Sequence, residues 1–375
     1  MLRAHKIRLY PNNVQATYFS KACGVARFAY NWALAEWKRL YELGEPVNEG
    51  ILRKRLNAIK REQFPWMLEV TKCAPQLAIK NDLNSAFRNF FRGLEQGKSV
   101  GYPKFHKKGT NDSFSISNDQ FSVKGKSAKI PNLGWVRLAE ELRFCGKILG
   151  AAISRTADKW FIAIQVEMPD PEIAIRENQA VGVDMGVKTL AVLSDGTEIV
   201  GSKASRKYEK QLRRLNQSLS RKIGAKKGET KSKNFMKTKR DLSKLYAKMA
   251  NLRADETHKL TTSLAKTYTL IGIEDLNVKG MMSNHQLARS VADMSFFEFR
   301  RQLEYKAAAA GTQVVVADRW FPSSKICSNC GIEHEMLSLG VRNWICQQCN
   351  ACHDRDVNAA INLKNYALQH VATII

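Results

Sequence analysis

The chain has 375 residues, 44% of them hydrophobic, enough for roughly two or three domains with buried cores and too apolar for wholesale disorder. Its 60 Lys and Arg against 35 Asp and Glu leave a formal charge of +25, spread along the whole length, which favours a polyanionic partner and nucleic acid above all. No apolar run reaches about 18 residues, so no transmembrane helix is expected, and the opening MLRAHKIRLYPNN lacks the apolar core of a signal peptide, which predicts a cytosolic protein (nuclear in a eukaryote).

The first element, HKIRLYP, alternates like a short strand and stops at Pro11. From 15 to about 43, Phe19, Cys23, Ala26, Tyr30, Ala33 and Trp37 recur at helical spacing. Further helices are predicted over about 49–64, ended by Pro65, and 75–94, with Leu77, Leu83, Phe87, Phe90 and Phe91. The first hundred residues therefore read as a helical bundle whose aromatic stripe is core. A basic loop follows, KSVGYPKFHKKGT at 98–110, in which Tyr102, Phe105 and His106 interleave with Lys104, Lys107 and Lys108. That mix suits a nucleic-acid backbone with stacked bases, or a solvated linker. Short alternating strands from 113 to 168 read as a β-barrel or sandwich, which the first strand can join if the helices are an insertion. PDPEIAIRENQA, 169–180, is a linker and domain boundary.

The third region opens with two apolar strands in AVGVDMGVKTLAVLSDGTEI, turning at Met185–Gly186 and again at Asp195–Gly196. Residues 203–266 form long basic helices. Between 203 and 240 there are fifteen Lys and Arg and two Glu, with Arg213, Arg214 and Arg221 among the cations set outward from narrow leucine seams. So one-signed a face favours phosphate contact. A buried strand YTLIGIEDL, a helix opened by a Ser295-x-x-Glu298 capping box and stopped at Gly311, and a second buried strand TQVVVADRW complete a mixed α/β sheet.

Two features carry chemistry. Cys327-x2-Cys330 and Cys346-x2-Cys349, fifteen residues apart, have the spacing of a structural zinc ribbon with no open coordination position. Cys352, His334 and His353 are nearby substitutes. Asp184 interrupts the apolar strand VGVDMGV and Glu274 ends LIGIE. A carboxylate there costs several kcal/mol unless it is compensated. With one of Asp354 and Asp356, these acids could converge on two Mg2+ ions, hard cations that take carboxylate and phosphate oxygens.

GVDMGVK, IGIEDL and HDRDVNAAINL resemble the three RuvC motifs of the TnpB proteins, transposon-encoded RNA-guided nucleases related to the compact type V CRISPR effectors. RLYPNNVQ, GVARFAYNWAL, LGWVRL, HKLTTSLAK and WFPSSKICSNCG extend the likeness over essentially the whole chain. The resemblance implies an α/β plus β architecture: a ribonuclease-H-like (RuvC) nuclease domain (178–322 and 354–375) with an inserted zinc ribbon (323–353) that binds target nucleic acid. Before it come a wedge β-barrel (1–10 and 110–170) and a helical recognition domain (11–109). It implies a guide RNA from the transposon end, a double-stranded DNA target beside a short motif, a bacterial or archaeal host, and Mg2+-dependent cleavage. Asp184, Glu274 and Asp356 are then the metal ligands, Asp354 a helix-capping or supporting acid, and Arg355 and Asn358 groups that orient the site or a phosphate. One departure is Asn350 where the family has Gly after the last knuckle cysteine; Asn tolerates the left-handed backbone required there. The competing expectations are a nuclease-silent RNA-guided repressor, disfavoured by the presence of all three acids, and a transposase.

Overall fold

The computed structural model describes every residue except 171, 172, 174–176, 178, 223–230, 335, 336, 338, 339 and 373–375, so the predicted linker at 169–180 lies partly outside the described residues. The chain divides into two units, Met1–Pro169 and Asp170–Ile375. Among the described residues no helix is long and apolar enough to cross a membrane.

In the first unit seven antiparallel strands make one sheet, in the order Ser113–Ser117, Lys147–Thr156, Lys159–Glu167, Leu2–Tyr10, Gly134–Leu138, Ser127–Ile130 and Ser122–Lys124. The N-terminal strand lies in the interior of the sheet, paired with segments more than a hundred residues downstream. By its hydrogen bonds the sheet is open, since the outermost strands Ser113–Ser117 and Ser122–Lys124 share no rung.

Helix Asn13–Glu42 starts where Asn12 and Gln15 cap one another, the Gln15 N–H donating to Asn12 Oδ1 at 2.8 Å and the Asn12 N–H to Gln15 Oε1 at 3.0 Å. Its buried Phe19, Cys23, Ala26, Tyr30 and Ala33 recur every three or four residues and form the face that packs against the sheet and the helical segments after Cys73. The Phe19 ring lies 5.2 Å from Trp160 and 6.0 Å from Phe114, so this part of the aromatic stripe is core, as is Phe87, whereas Phe91, expected with them, is exposed. The helix expected over 75–94 is three pieces, Cys73–Leu77, a π-helical turn Ala78–Leu83, and Asn84–Glu95.

The second unit is built on five strands in the order Glu198–Ile199, Ala191–Leu193, Ala180–Asp184, Leu270–Glu274 and Gln313–Ala317. The first three form an antiparallel meander, while Leu270–Glu274 runs parallel to both neighbours. The turn expected at Met185–Gly186 is a longer loop closed by the Gly186 N–H on the Leu190 carbonyl. At Asp195–Gly196 the turn is tight, with Gly196 at φ +86°. Helices Glu209–Ser220 and Lys233–Thr267 pack through Leu212 and Leu215 against Leu245 and Met249.

Helix Phe296–Ala310 ends at Gly311, φ +70°. Its start differs from the expected capping box. Ser295 is wedged between helix Ala288–Met294 and this one, takes φ +54°, and makes no side-chain cap bond. A capping serine needs extended backbone, and Glu298 is engaged instead by Arg301 one turn on, at 2.8 Å.

The last helix, Arg355–Ala372, lies directly on strands Ala180–Asp184 and Leu270–Glu274. Gly182 and Gly272 are paired across those strands. A Cβ at Gly182 would stand 1.8 Å from the Ala360 carbonyl oxygen, and one at Gly272 would stand 2.2 Å from that of Leu363. Both clashes are with helix backbone, which no rotamer change relieves. Gly182→Ala or Gly272→Ala should therefore lower the unfolding free energy by at least about 1–3 kcal/mol, the cost of overpacking a tight interior. Urea denaturation measures it, and a wild-type midpoint for both variants would show that the helix does not need the glycines.

Candidate metal and acid site

The two cysteine pairs sit on matching knuckles. The Gly331 N–H donates to the Cys327 carbonyl at 2.8 Å and the Asn350 N–H to that of Cys346 at 2.9 Å. Gly331 has φ +78° and Asn350 φ +57°, so asparagine takes the left-handed position usually filled by glycine. All four sulfurs lie within 4.8 Å of one another, with Cys327–Cys349 and Cys330–Cys346 each at 3.6 Å. A tetrahedral Zn2+ at the usual Zn–S length requires sulfurs about 3.8 Å apart, so the set fits zinc with small adjustments. Cys352 is exposed on strand Cys352–Asp354, outside this cluster. The ring nitrogens of His353 and His334 face the sulfurs of Cys327 and Cys346 at 3.1 and 3.3 Å, positions suited to hydrogen-bonding bound thiolates.

The three acids come from three elements. Asp184 and Glu274 end neighbouring parallel strands whose register, Val183 opposite Ile273, puts both on one face, the face of Gly182 and Gly272. The helix over those glycines carries Asp356 one turn before Ala360. A helical turn of four residues rises about 6 Å and two strand residues advance about 6.6 Å, so stepping from the Ala360–Gly182 contact carries Asp356 toward the end of the strand that holds Asp184, although among the described residues only the four cysteines, and not these three acids, are close enough together to hold a metal as they stand. The charges interact accordingly. Burial holds the Asp184 carboxyl well above the usual aspartate range, Glu274 and Asp356 push it the same way, and Arg355 and Arg342 oppose them. Burial also raises Glu274, against the Ser323 hydroxyl it accepts from and the Arg355 charge. Negative charge is thus under-compensated at this point, the condition a hard divalent cation relieves.

Asp354 is exposed and caps the helix, its Oδ1 accepting from the Asp356 and Val357 N–H groups at 3.0 Å each. Arg355 is buried and donates to Ser324 Oγ at 3.1 Å. Asn358 is used on the ribbon backbone, donating to the Ile326 carbonyl at 2.7 Å and accepting from the Ser328 N–H at 2.9 Å. Asn362, unnoticed in the sequence, adds bonds to the carbonyls of Ser323 and Ile326. Arg342, also missed, grips both Asp356 oxygens at 2.8 and 3.1 Å from the ribbon. Lys104, Lys107 and Lys108 are exposed on a loop that Asn31 clamps by both polar groups of the His106 backbone, while the His106 ring stacks on Tyr30 at 3.8 Å. Arg213, Arg214 and Arg221 are exposed at the helical hairpin, Arg213 with Glu209 at 3.8 Å.

Comparison with known proteins matches three family models: "Probable transposase" over 163–285, "Cas12f1-like, TNB domain" over 296–363, and "Helix-turn-helix domain" over 1–45. A Streptomyces pristinaespiralis protein named "Putative RNA-guided DNA endonuclease" is 35% identical over 96% of this chain and 88% of its own length. This chain belongs to the TnpB family. The Escherichia coli (strain K12) protein with the same name and the suffix InsQ is 31% identical, over 96% of the TnpB chain described here and 91% of its own. Among solved structures, a chain of a Cas12f1–sgRNA–target DNA complex superposes with a TM-score of 0.56 at 16% identity, over 94% of this chain and 83% of that one, a likeness of fold. The helix-turn-helix match falls on strand Leu2–Tyr10 and the single helix Asn13–Glu42, so no two-helix motif is present there.

Two measurements test the site. Elemental analysis should find one zinc per chain, and Cys346→Ser should lose it together with the thermal stability of the second unit; full zinc content in that variant would remove the cysteine assignment. The acids give a pH dependence. Because the folded state holds the Asp184 proton more tightly than the unfolded chain, this group's contribution to stability is complete below about pH 4 and is lost as pH rises through the raised folded value. In zinc-loaded protein without added Mg2+, Asp184→Asn should therefore become more stable than wild type at neutral and alkaline pH, by roughly 1–3 kcal/mol, with the two converging in acid. Parallel pH curves would show that Asp184 is not under electrostatic load.

Proposed function

We propose that the chain is an RNA-guided DNA endonuclease that hydrolyses both strands of a DNA target beside a short transposon-associated motif, using a guide RNA transcribed from the transposon end. The observation that supports the reading is the electrostatic crowding of Asp184 by Glu274 and Asp356, acids carried by two strand ends and a helix start. Relatives named as RNA-guided DNA endonucleases over nearly the full length support it. So does the sheet, a three-strand antiparallel meander extended by two parallel strands, which fits a ribonuclease-H-like (RuvC) core formed by 178–322 and 354–375 around a ribbon at 323–353. The open sheet of 1–10 and 110–170 fits a wedge barrel, and the helices of 11–109 a recognition insertion.

On this reading Asp184, Glu274 and Asp356 hold two Mg2+ ions, and the four thiolates hold one Zn2+. Bound there, the Mg2+ ions would supply an activated water and a counter-charge for the leaving oxygen of a phosphodiester. The chain's own groups do the rest. The acids stay deprotonated once their charge is balanced, Arg342 orients Asp356, and Asp354 and Asn358 fix the helix start and the ribbon loop. Lys104, Lys107, Lys108, Arg213, Arg214 and Arg221 contact phosphates, while base pairing with the guide reads the sequence.

The description "Probable transposase" supplies a second reading, strand transfer, which metal-held carboxylates can also serve. Products separate the two, since an endonuclease leaves free ends and a transposase joins them. With protein purified together with its own RNA, Asp184→Ala should cut a matched DNA target at least about a hundredfold more slowly in Mg2+, the scale of losing one active-site electrostatic group, while retaining RNA and DNA binding. Wild-type cleavage by that variant would overturn the assignment.

A further inference from the structure

Beside the acids is a cleft that neither they nor the ribbon require. It encloses about 450 Å3, with Glu274 in its wall, within the range of small-ligand pockets. Phe299 and other apolar side chains form its floor, and Phe297, on the first turn of helix Phe296–Ala310, leaves its ring 67% exposed beside it. Lys279, Arg300, Arg301 and Arg319 also line it, with Glu304 as a second carboxylate beside Glu274. The Arg300 and Arg319 guanidinium groups are held in place. Asp275, next to Glu274, pairs with Arg300 at 2.6 Å and also with Arg319, and Arg300 Nε reaches Glu304 at 2.9 Å. Lys279 has no ion pair among the described residues.

This combination constrains the occupant. An apolar ligand would make no use of Lys279 or of the guanidinium edges at the rim, and a small anion would make none of the apolar floor and the exposed ring. A nucleotide uses both, with its base on the ring and its phosphate among the cations. The shared wall at Glu274 makes that phosphate a neighbour of the bond the acids would cut. We propose that the cleft takes one unpaired deoxynucleotide of the strand being cleaved, adjacent to the scissile phosphate, with its base stacked on Phe297. The proposal rests on the nuclease reading for the identity of the strand, and on the cleft alone for the binding of a nucleotide.

The test has two arms, both with the full-length zinc-loaded chain. In the first, single-stranded DNA oligonucleotides carrying 2-aminopurine are titrated without Mg2+. Wild type should quench the base on binding, Phe297→Ala and Phe297→Leu should lose most of the quench, and Phe297→Trp should restore it. Leu keeps the apolar bulk, so its loss reports the ring and not the fold. In the second, single abasic sites are scanned along the cut strand in single-turnover cleavage by the guide-loaded protein. One position next to the cut should slow wild type about tenfold, the scale of one base-on-ring stack, and Phe297→Ala should be slow on intact DNA but insensitive to that abasic site. Quenching unchanged by Phe297→Ala, or an abasic effect that persists in it, overturns the subsite. Failure of wild type to cut any guide-matched DNA overturns the nuclease reading instead, and the fluorescence arm then still decides whether a nucleotide binds the cleft.

Discussion

The candidate site depends on how closely one helix approaches one sheet. Helix Arg355–Ala372 meets its two strands at Gly182 and Gly272, where a single methyl group would overlap helix backbone. On its own side the contact is made by Ala359, Ala360, Leu363 and Ala367, each no more than 1% exposed. Small residues on both faces give up apolar area per residue and gain proximity, and proximity is what brings a helix-borne carboxylate toward two strand-borne ones. The same contact works against itself, because every fraction of an ångström gained raises the repulsion among Asp184, Glu274 and Asp356. Packing must therefore hold the helix against an electrostatic load concentrated at its first turn.

The loop that carries the four-cysteine cluster shares part of that load. Asn358 and Asn362, one turn apart on the helix, bind the carbonyls and the N–H of the first knuckle's approach, and the Arg355 N–H binds the Arg342 carbonyl at 2.7 Å. Arg342 then returns a positive charge from the ribbon to Asp356. Four thiolates fixed on a dication would make the knuckles rigid, and the asparagines pass that rigidity to the helix start. Metal binding at the cysteines would thus stiffen the start of the helix that carries Asp356, and by linkage the coupling would run in both directions.

What could be read without coordinates divides along a physical line. Paired cysteines at fixed spacing, lone acids in apolar strands, Asp-Gly at a turn and glycine after a helix are signals whose cause is local, so Cys327 to Cys349, Asp184, Glu274 and Gly311 were visible in the sequence. Arg342 and Asn362 were not, because their meaning lies in partners that only the folded chain brings within reach. Asn358 was expected to orient the site or a phosphate, and its amide is engaged by the backbone of Ile326 and Ser328, partners the sequence did not name. The capping box at Ser295 failed for the converse reason: the local pattern was present, but two abutting helices imposed a left-handed backbone on the serine and Arg301 took the glutamate. Gly182 and Gly272 were plainly glycines in apolar strands, yet nothing in either strand announces a helix ninety residues or more away in sequence.

The balance of charge at the acids is the last constraint. A chain with a net charge of +25 has cations to spare, and two reach the acids, Arg355 near Asp184 and Glu274 and Arg342 on Asp356. The cluster stays incompletely balanced, for Arg342 lies partly in solvent and Asp184 remains well above the usual aspartate range. Complete pairing by arginine would turn the acids into an inert buried salt-bridge network, with no oxygen left to bind anything else. A residual negative charge, held rigidly by strands and helix and open to small cations, instead favours a dication over a proton as pH rises. The arginines limit the repulsion that folding must overcome without removing the charge that a metal would require.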